Sequence, residues 1–166
     1  SDNGYVFPYR DGFSPSVRCS LISLGGITVA AIGAGSDDGQ VNALTGKDFE
    51  KASDFALLAD QLDIPILMYM NFAGYDRTPH TEVCLRRRLA RFTNIMSSVS
   101  VPRITVYAGK VIGSAYILMG NALGADVTYA FDDSYISLLE SDEIKKITGK
   151  SESNSLGDML SKGYID

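Results

Sequence analysis

The chain has 166 residues, 45% of them hydrophobic and 21% charged, which predicts one globular domain with a sizeable core. Its formal net charge of −5 argues against a nucleic-acid-binding protein, whose affinity rests on neutralising phosphates with basic side chains. Two cysteines with no CxxC pair argue against a zinc site or disulfide framework and favour a reducing, cytoplasmic compartment, and no apolar run approaches the roughly 20 residues of a membrane span.

The first half of the chain predicts strands on either side of one helix. The run LISLGGITVAAIG predicts two strands separated by a turn at Gly25–Gly26, and the apolar segment 27–32 is expected to be buried on both faces. After a loop, a helix is predicted over residues 47–62, with Thr45 as N-cap and Asp48 completing a capping box. ILMYMNF is the next buried strand. The buried stripe of the helix is predicted to contain Phe49, Ala52, Phe55, Ala56, Ala59 and Leu62.

The second half continues the alternation of helices and strands. Thr78 is the predicted N-cap of a helix with Pro79 in its first turn. RITVYA is then a strand, SAYILMGNAL a helix, and DVTYAF and YISLLE short strands, followed by a polar tail with two short helix candidates. Strands that alternate with helices predict parallel βαβ units and therefore an α/β fold. The apolar stripe of the helix that begins at Pro79 is predicted to contain Leu85, Leu89, Phe92 and Met96.

The segment GKVIGSAYILMG, residues 109–120, contains the first candidate site, at the turn from strand to helix. A helix N-terminus has free N–H groups and a partial positive charge, and the small residues Gly113 and Ser114 let an oxygen atom approach these donors. Two N–H groups directed at one oxygen stabilise a developing oxyanion. The alternative is that Gly113 and Ser114 only permit a tight turn and close helix packing. Tyr116, within the apolar helix, is expected to pack.

Nucleophilic and dinucleotide sites are disfavoured. The motif around Ser114 is not G-x-S-x-G, and His80, the one histidine, is expected at the surface in the first turn of a helix. The loop GAGSDDG is not a dinucleotide fingerprint, and Asp37 and Asp38 would repel a pyrophosphate.

Two further candidate binding sites have two possible interpretations each. The cluster of Arg86, Arg87, Arg88 and Arg91 on one helix could hold the phosphates of a nucleotide-like ligand, or could form a solvated face or a subunit contact. Gly74 and Tyr75 follow a strand end, where α/β sheets place ligands, although a plain loop is the alternative.

Several motifs, taken in order, resemble the carboxyltransferase of biotin-dependent acyl-CoA carboxylases and decarboxylases, and in particular its C-terminal-type, crotonase-like domain. AGY stands where that family has PGF, and VIGSAY stands where it has AYGGAY. The similarity covers about residues 27–131 and the final KGYID, which resembles the family's GYID. The other matching positions are a Lys near Lys51, Val101–Pro102, Met119–Gly120 and Gly124–Ala125–Asp126.

The resemblance implies a crotonase-like ββα superhelix that forms a single domain over residues 1–166, excised from a longer chain or acting as a separate subunit. It implies an enzyme that moves a carboxyl group between biotin and an acyl-CoA, with biotin on a carrier protein and a coenzyme A thioester as substrate. The expected partners are that carrier, an N-terminal-type half and further copies in a dimer, trimer or hexamer. Nucleic acid, a metal and a transmembrane segment are not expected.

The resemblance also assigns roles to site residues. The backbone amides of Ser114 and Ala115, beside Gly113, are the expected donors to the enolate-like charge on the biotin side. The predicted substrate-binding residues are Gly74 and Tyr75, which flank the biotin cleft, and Ile117 with its neighbour Tyr116 on the acyl side. Ser114 and Leu89 replace family glycines and Ala73 replaces a proline, and Leu89 is expected to narrow the cleft.

Two other functions remain open from the sequence. One is a crotonase-type acyl-CoA hydratase or decarboxylase without biotin, for which the candidate loops offer the carboxylates of Asp76, Asp132 and Asp133. The other is a non-catalytic scaffold domain of a carboxylase complex.

Overall fold

The computed structural model describes residues 1–35, 43–76, 78–119, 124–149 and 155–166, with the backbone alone for residues 79–83. Asp37, Asp38 and Gly120 therefore lie outside the described residues. The chain begins with a 3-10 turn at Asp2–Gly4. The elements that follow are β1 (Val6–Tyr9), β2 (Val17–Leu24), β3 (Ile27–Ala34), α1 (Gly46–Gln61), β4 (Ile66–Phe72), α2 (Pro79–Ser98), β5 (Arg103–Ile112), α3 (Ser114–Met119), β6 (Val127–Ala130), β7 (Tyr135–Ser137), α4 (Ser141–Thr148) and α5 (Leu156–Ser161).

The described strands form one mixed sheet in the order β1-β2-β3-β4-β5-β6, with β7 also paired to β5. The first three strands are antiparallel neighbours, and β2 and β3 form a hairpin whose turn is Gly25–Gly26, both with positive φ. The pairs β3–β4, β4–β5, β5–β6 and β5–β7 are parallel. The predicted parallel βαβ units are confirmed, and they bring the carboxyl ends of β3, β4 and β5 to one edge of the sheet.

Strand β5 bends at Gly109 and changes its pairing partner there. Residues 104–107 pair with β6, whereas residues 110–112 pair with β7. Gly109 has φ +113°, and a Cβ atom there would lie 3.1 Å from the side-chain oxygen of Asn71, which also accepts a hydrogen bond from the Lys110 N–H at 3.2 Å. The bend re-aims the end of β5, and with it the turn that begins α3.

The buried face of α1 is the one that the sequence predicts, except at its end. Phe49, Ala52, Phe55, Ala56 and Ala59 are at most 1% exposed. The ring of Phe49 packs edge-on against Phe92 of α2, with 5.3 Å between centroids. The capping box is confirmed, because the Asp48 carboxylate accepts hydrogen bonds from the Thr45 N–H and hydroxyl, both at 2.7 Å.

Two burial predictions are wrong. Leu62 is 54% exposed because the helix ends at Gln61 and Leu62 is already its C-cap. Strand β3 is not buried on both faces along its length: Ile27 is 62% exposed, since it lies at the hairpin end, where only the antiparallel neighbour β2 covers it. Ala30 and Ile32 lie in the part of the strand that pairs with β4 as well as with β2, and both are fully buried.

The second helix agrees with its prediction. Thr78 is the N-cap of α2 and Pro79 is its first residue. Leu85, Phe92 and Met96 are buried, and Leu89 is half-buried and packs against the core, so the side chain of Leu89 takes part in helix packing.

Candidate functional site

Three segments that follow parallel strands meet at the carboxyl edge of the sheet. Leu44, which precedes α1, forms a parallel bridge with Tyr75, which follows β4. The Leu44 N–H donates to the Gly74 carbonyl at 2.8 Å, and the Asp76 N–H donates to the Leu44 carbonyl at 2.9 Å. The third segment is the turn at Gly113, directly after β5. Crevices at this edge of parallel sheets are where α/β proteins bind ligands.

The two glycines of the candidate site lie against each other. A Cβ atom on Gly113 would lie 3.6 Å from the Gly74 Cα, and a Cβ atom on Gly74 would lie 3.5 Å from the Ile112 carbonyl oxygen. Both residues have a left-handed backbone, with φ +79° at Gly74 and +82° at Gly113, which favours glycine. The structure thus brings together two predicted site segments that are 39 residues apart in the sequence.

The turn at Gly113 presents the first N–H groups of α3. The Gly113 N–H donates to the Ser137 carbonyl at 2.9 Å, which anchors the turn to β7, and the Tyr116 N–H donates to the Gly113 carbonyl at 3.1 Å. The N–H groups of Ser114 and Ala115 lie in the first turn of α3, where backbone N–H groups have no intrahelical acceptor. Ser114 is exposed, whereas the whole of Ala115, its backbone N–H included, is fully buried. Of these two N–H groups, the one on exposed Ser114 is therefore the more accessible to an oxygen atom of a ligand.

Tyr75 adds a side-chain hydroxyl to the same place. Its ring packs edge-on against Phe49 with 5.7 Å between centroids. Its hydroxyl oxygen is buried and makes no hydrogen bond to any described residue. Burial raises the pKa of Tyr75 above its usual value of 10.0, and the neighbouring Ser114 hydroxyl opposes that shift. The phenol is therefore neutral at physiological pH and has a donor to offer to a ligand.

Tyr116 and Ile117 occupy different environments although they are adjacent. Tyr116 is 9% exposed, and its ring lies 5.9 Å from that of Tyr107 and 5.8 Å from that of Tyr164, so the predicted packing role is confirmed. Burial, and then the nearby Tyr164, raise the pKa of Tyr116. Ile117 is 38% exposed and remains accessible to a ligand.

The C-terminal segment supports this helix, a role that the sequence patterns do not predict. Tyr164 packs against Tyr116, and the Asp166 carboxylate accepts hydrogen bonds from the Thr128 N–H and hydroxyl, both at 2.8 Å. The Asp166 N–H donates to the Thr128 carbonyl at 3.0 Å. In the sequence, the signal for this role is the motif GYID at residues 163–166.

The other polar candidates do not join the Gly74–Gly113 site. The Asp76 carboxylate accepts hydrogen bonds from the Thr78 N–H and hydroxyl at 3.1 and 3.4 Å. It thereby stabilises the residue that caps α2. Asp132 and Asp133 are exposed. The backbone of His80 lies in the first turn of α2, as predicted, and its side chain lies outside the described atoms.

Within the part of the chain that the structure describes, no three His, Cys, Asp or Glu side chains cluster as metal ligands would. None of the described helices combines the length and the apolar character needed to cross a membrane.

The model of one protein family, the carboxyl transferase domain, matches residues 1–156. The carboxyltransferase subunit of propionyl-CoA carboxylase from Haloferax mediterranei is 28% identical over 142 residues, which are 83% of this chain and 27% of that protein. The propionyl-CoA carboxylase beta chain of Rhodococcus erythropolis is 29% identical over 132 residues, 78% of this chain and 27% of that protein. The chain thus spans about a quarter of the length of these relatives.

Two solved structures have a similar fold. The transcarboxylase 12S subunit, crystallised as a hexamer with hydrolysed methylmalonyl-coenzyme A, superposes with a TM-score of 0.89 at 22% identity over 99% of this chain and 34% of that one. The beta subunit of geranyl-CoA carboxylase from P. aeruginosa gives a TM-score of 0.78 at 19% identity over 89% of this chain and 28% of that one. The predicted α/β, crotonase-like fold is confirmed.

Proposed function

The chain belongs to the carboxyl transferase domain family, and on that premise we propose that it is the biotin-side, C-terminal-type half of a biotin-dependent carboxyltransferase. The reaction moves a carboxyl group between biotin and the α carbon of an acyl-CoA thioester. The single domain, residues 1–166, would work within a longer chain or complex that supplies the N-terminal-type half.

One observation supports this proposal: the Gly113 turn, which precedes the first residues of α3, lies against Gly74 at the edge of the sheet. The donors are the backbone amides of Ser114 and Ala115, which need no titrating side chain. Negative charge develops on an oxygen atom when a carboxyl group leaves or joins an enolate-like partner, and preorganised amides stabilise that charge.

The described residues fit the ureido group of biotin. Its oxygen is a hydrogen-bond acceptor, and the site offers donors: the two proposed amides and the buried Tyr75 hydroxyl, which has no hydrogen-bond partner among the described residues. Gly74 and Gly113 have no side chains that would fill the space between the two turns. Carboxybiotin, when bound, supplies the carboxyl group. The amides would hold and polarise this oxygen, and the Tyr75 phenol would donate a further hydrogen bond to biotin.

The acyl side of the proposal rests on Ile117, with Tyr116 behind it. Ile117 is partly exposed one residue beyond the buried Tyr116, so its apolar side chain can contact an acyl group while Tyr116 fixes the helix. The proposed partners are a biotin carrier protein, the N-terminal-type half, an acyl-CoA and further copies of the chain, in a reducing, cytoplasmic compartment.

A hydratase or decarboxylase that needs no biotin is less consistent with this site. Such chemistry calls for a positioned acid or base, and the candidate carboxylate of Asp76 is engaged by Thr78 at the start of α2. The scaffold alternative predicts no transfer in any assembly and is tested by the same experiment.

The test is native purification of the full-length protein, with the co-purifying chains probed for covalent biotin and the complex assayed for transfer of carboxyl from biotin to short acyl-CoA esters. A stoichiometric biotinylated partner and biotin-dependent transfer are the expected results. A complex without biotin that turns over acyl-CoA would contradict the proposal in favour of the crotonase-type enzyme. A complex with neither activity would favour the scaffold.

A further inference from the structure

A second cleft lies between α1 and α2, and the Gly74–Gly113 site does not include it. The cleft has a volume of about 450 Å³, and its lining residues are Glu50, Cys84, Arg87, Arg88 and Arg91. This volume is in the range of small-molecule sites, roughly 300–1,000 Å³. The three guanidinium groups are accompanied by two carboxylates, Glu50 in the lining and Asp54 beside Arg91, which leaves one net positive charge in a chain whose net charge is −5. We propose that it binds a small phosphate-bearing ligand of about the size of a nucleotide.

Two of the three guanidinium groups are held in place. Arg88 Nε donates to Glu50 Oε2 at 2.9 Å, and its side chain crosses the first turn of α1, where a Cβ atom on Gly46 would lie 2.9 Å from Arg88 Cδ. Arg91 donates to the Asp54 carboxylate at 2.6 Å. Because their ion pairs already restrict these two side chains, they would lose less conformational entropy when a ligand binds than mobile arginines would.

Arg87 differs from its two neighbours. It lines the cleft and is exposed, and within the described residues it makes no ion pair or hydrogen bond. Its planar fork of N–H donors matches the oxygens of a phosphate, and a charge-assisted bond of that kind is about twice as strong as a neutral one. The cleft therefore combines two ion-paired arginines with one, Arg87, that has no carboxylate partner within the described residues.

Residues 44–46 connect the cleft to the candidate site along the chain. Arg88 covers Gly46, which is two residues from Leu44, and Leu44 forms the bridge to Tyr75. Ligand binding in this cleft would not require carboxyl transfer, because it would depend only on the volume and charge of the cleft and on the contacts of its arginines.

The experiment is calorimetric titration of ADP and, separately, inorganic pyrophosphate into the full-length protein that contains this chain. It compares the natural protein with Arg87→Gln and with Arg86→Gln, which removes the same charge from the adjacent residue of α2 outside the cleft. Arg87→Gln should weaken ADP binding by about tenfold to a hundredfold, the usual effect of losing a hydrogen bond between charged groups. Arg86→Gln should weaken it by no more than about twofold, as expected for an exposed surface charge.

The two probes separate the possible sources of phosphate. Tighter binding of ADP than of pyrophosphate supports a nucleotide-like ligand, and equal affinities support a free polyphosphate. No binding of either probe at millimolar concentration would overturn the inference, as would an equal effect of the two substitutions or undiminished binding to Arg87→Gln. Thermal unfolding of both variants checks that each is folded. A Ser114→Pro variant should keep the binding even where transfer is lost, which separates this inference from the proposed function.

Discussion

Replacing Ser114 by proline removes one proposed donor with little other change. Ser114 is the first residue of α3, where proline is tolerated because the N–H has no intrahelical acceptor and the fixed φ suits a helix. The residue before it, Gly113, has a left-handed backbone and lacks the Cβ that a following proline ring would press against. The fold should therefore survive the substitution while the amide is lost.

The expected effect is a fall of about 10²–10³-fold in kcat, equivalent to about 3–4 kcal/mol, which is the usual cost of deleting one oxyanion-hole donor. The assay is biotin-dependent carboxyl transfer by the assembled full-length enzyme, with kcat and KM determined separately. Ser114→Ala is the matched control, since it deletes the hydroxyl and keeps the N–H, and it should retain activity within a few fold. If the proline and alanine variants fold equally well and have the same kcat, the Ser114 amide is not a donor.

Three further predictions concern the structure around the site, each checked in purified protein. Gly113→Ala should lower the free energy of unfolding by about 1–2 kcal/mol because of its left-handed backbone, whereas Gly12→Ala, with open space around it, should change it by less than about 0.5 kcal/mol in denaturant titrations. Asp48→Ala should cost about 2–4 kcal/mol, since Asp48 is 1% exposed and accepts three hydrogen bonds; an unchanged denaturation midpoint would refute its capping role. Burial raises the pKa of the Cys19 thiol from 9.0 to about 12, so its contribution to stability should be fully present below pH 9 and lost as the pH rises toward 12. At pH 8 an alkylating reagent should label exposed Cys84 and leave Cys19 unlabelled until the protein unfolds, as peptide mass mapping would show.

Local sequence patterns predicted most of the helices and strands, because the start or end of each of these elements depends on interactions between residues a few positions apart. The α1 capping box, the Pro79 start of α2 and the Gly25–Gly26 hairpin turn were all recognisable in this way. The candidate site was predicted only as separate segments. That Gly74 lies against Gly113 depends on the parallel order of β4 and β5, which the alternation of strands and helices predicted in type but not in register.

The features that the sequence could not predict depend on long-range packing. Ile27 is as apolar as a core residue but lies at a hairpin end that β4 does not reach. The Tyr75 hydroxyl is buried and makes no hydrogen bond within the described residues, and the Tyr75 ring packs edge-on against Phe49 of α1. Tyr164 reaches Tyr116 because the C-terminal segment is fixed to Thr128. Periodicity along the chain contains no information on any of these contacts.

The geometry also explains how a serine can occupy position 114, where the related family has glycine. The turn needs one residue with positive φ, and Gly113 supplies it, whereas Ser114 is already helical. The direction of the Ser114 N–H is therefore set by the Gly113 backbone and by the hydrogen bond from Gly113 to Ser137, not by the side chain at 114. Since the Ser114 side chain is exposed, its hydroxymethyl group adds no buried volume. A donor made of backbone can thus keep its geometry through a substitution that would abolish a site built from that side chain.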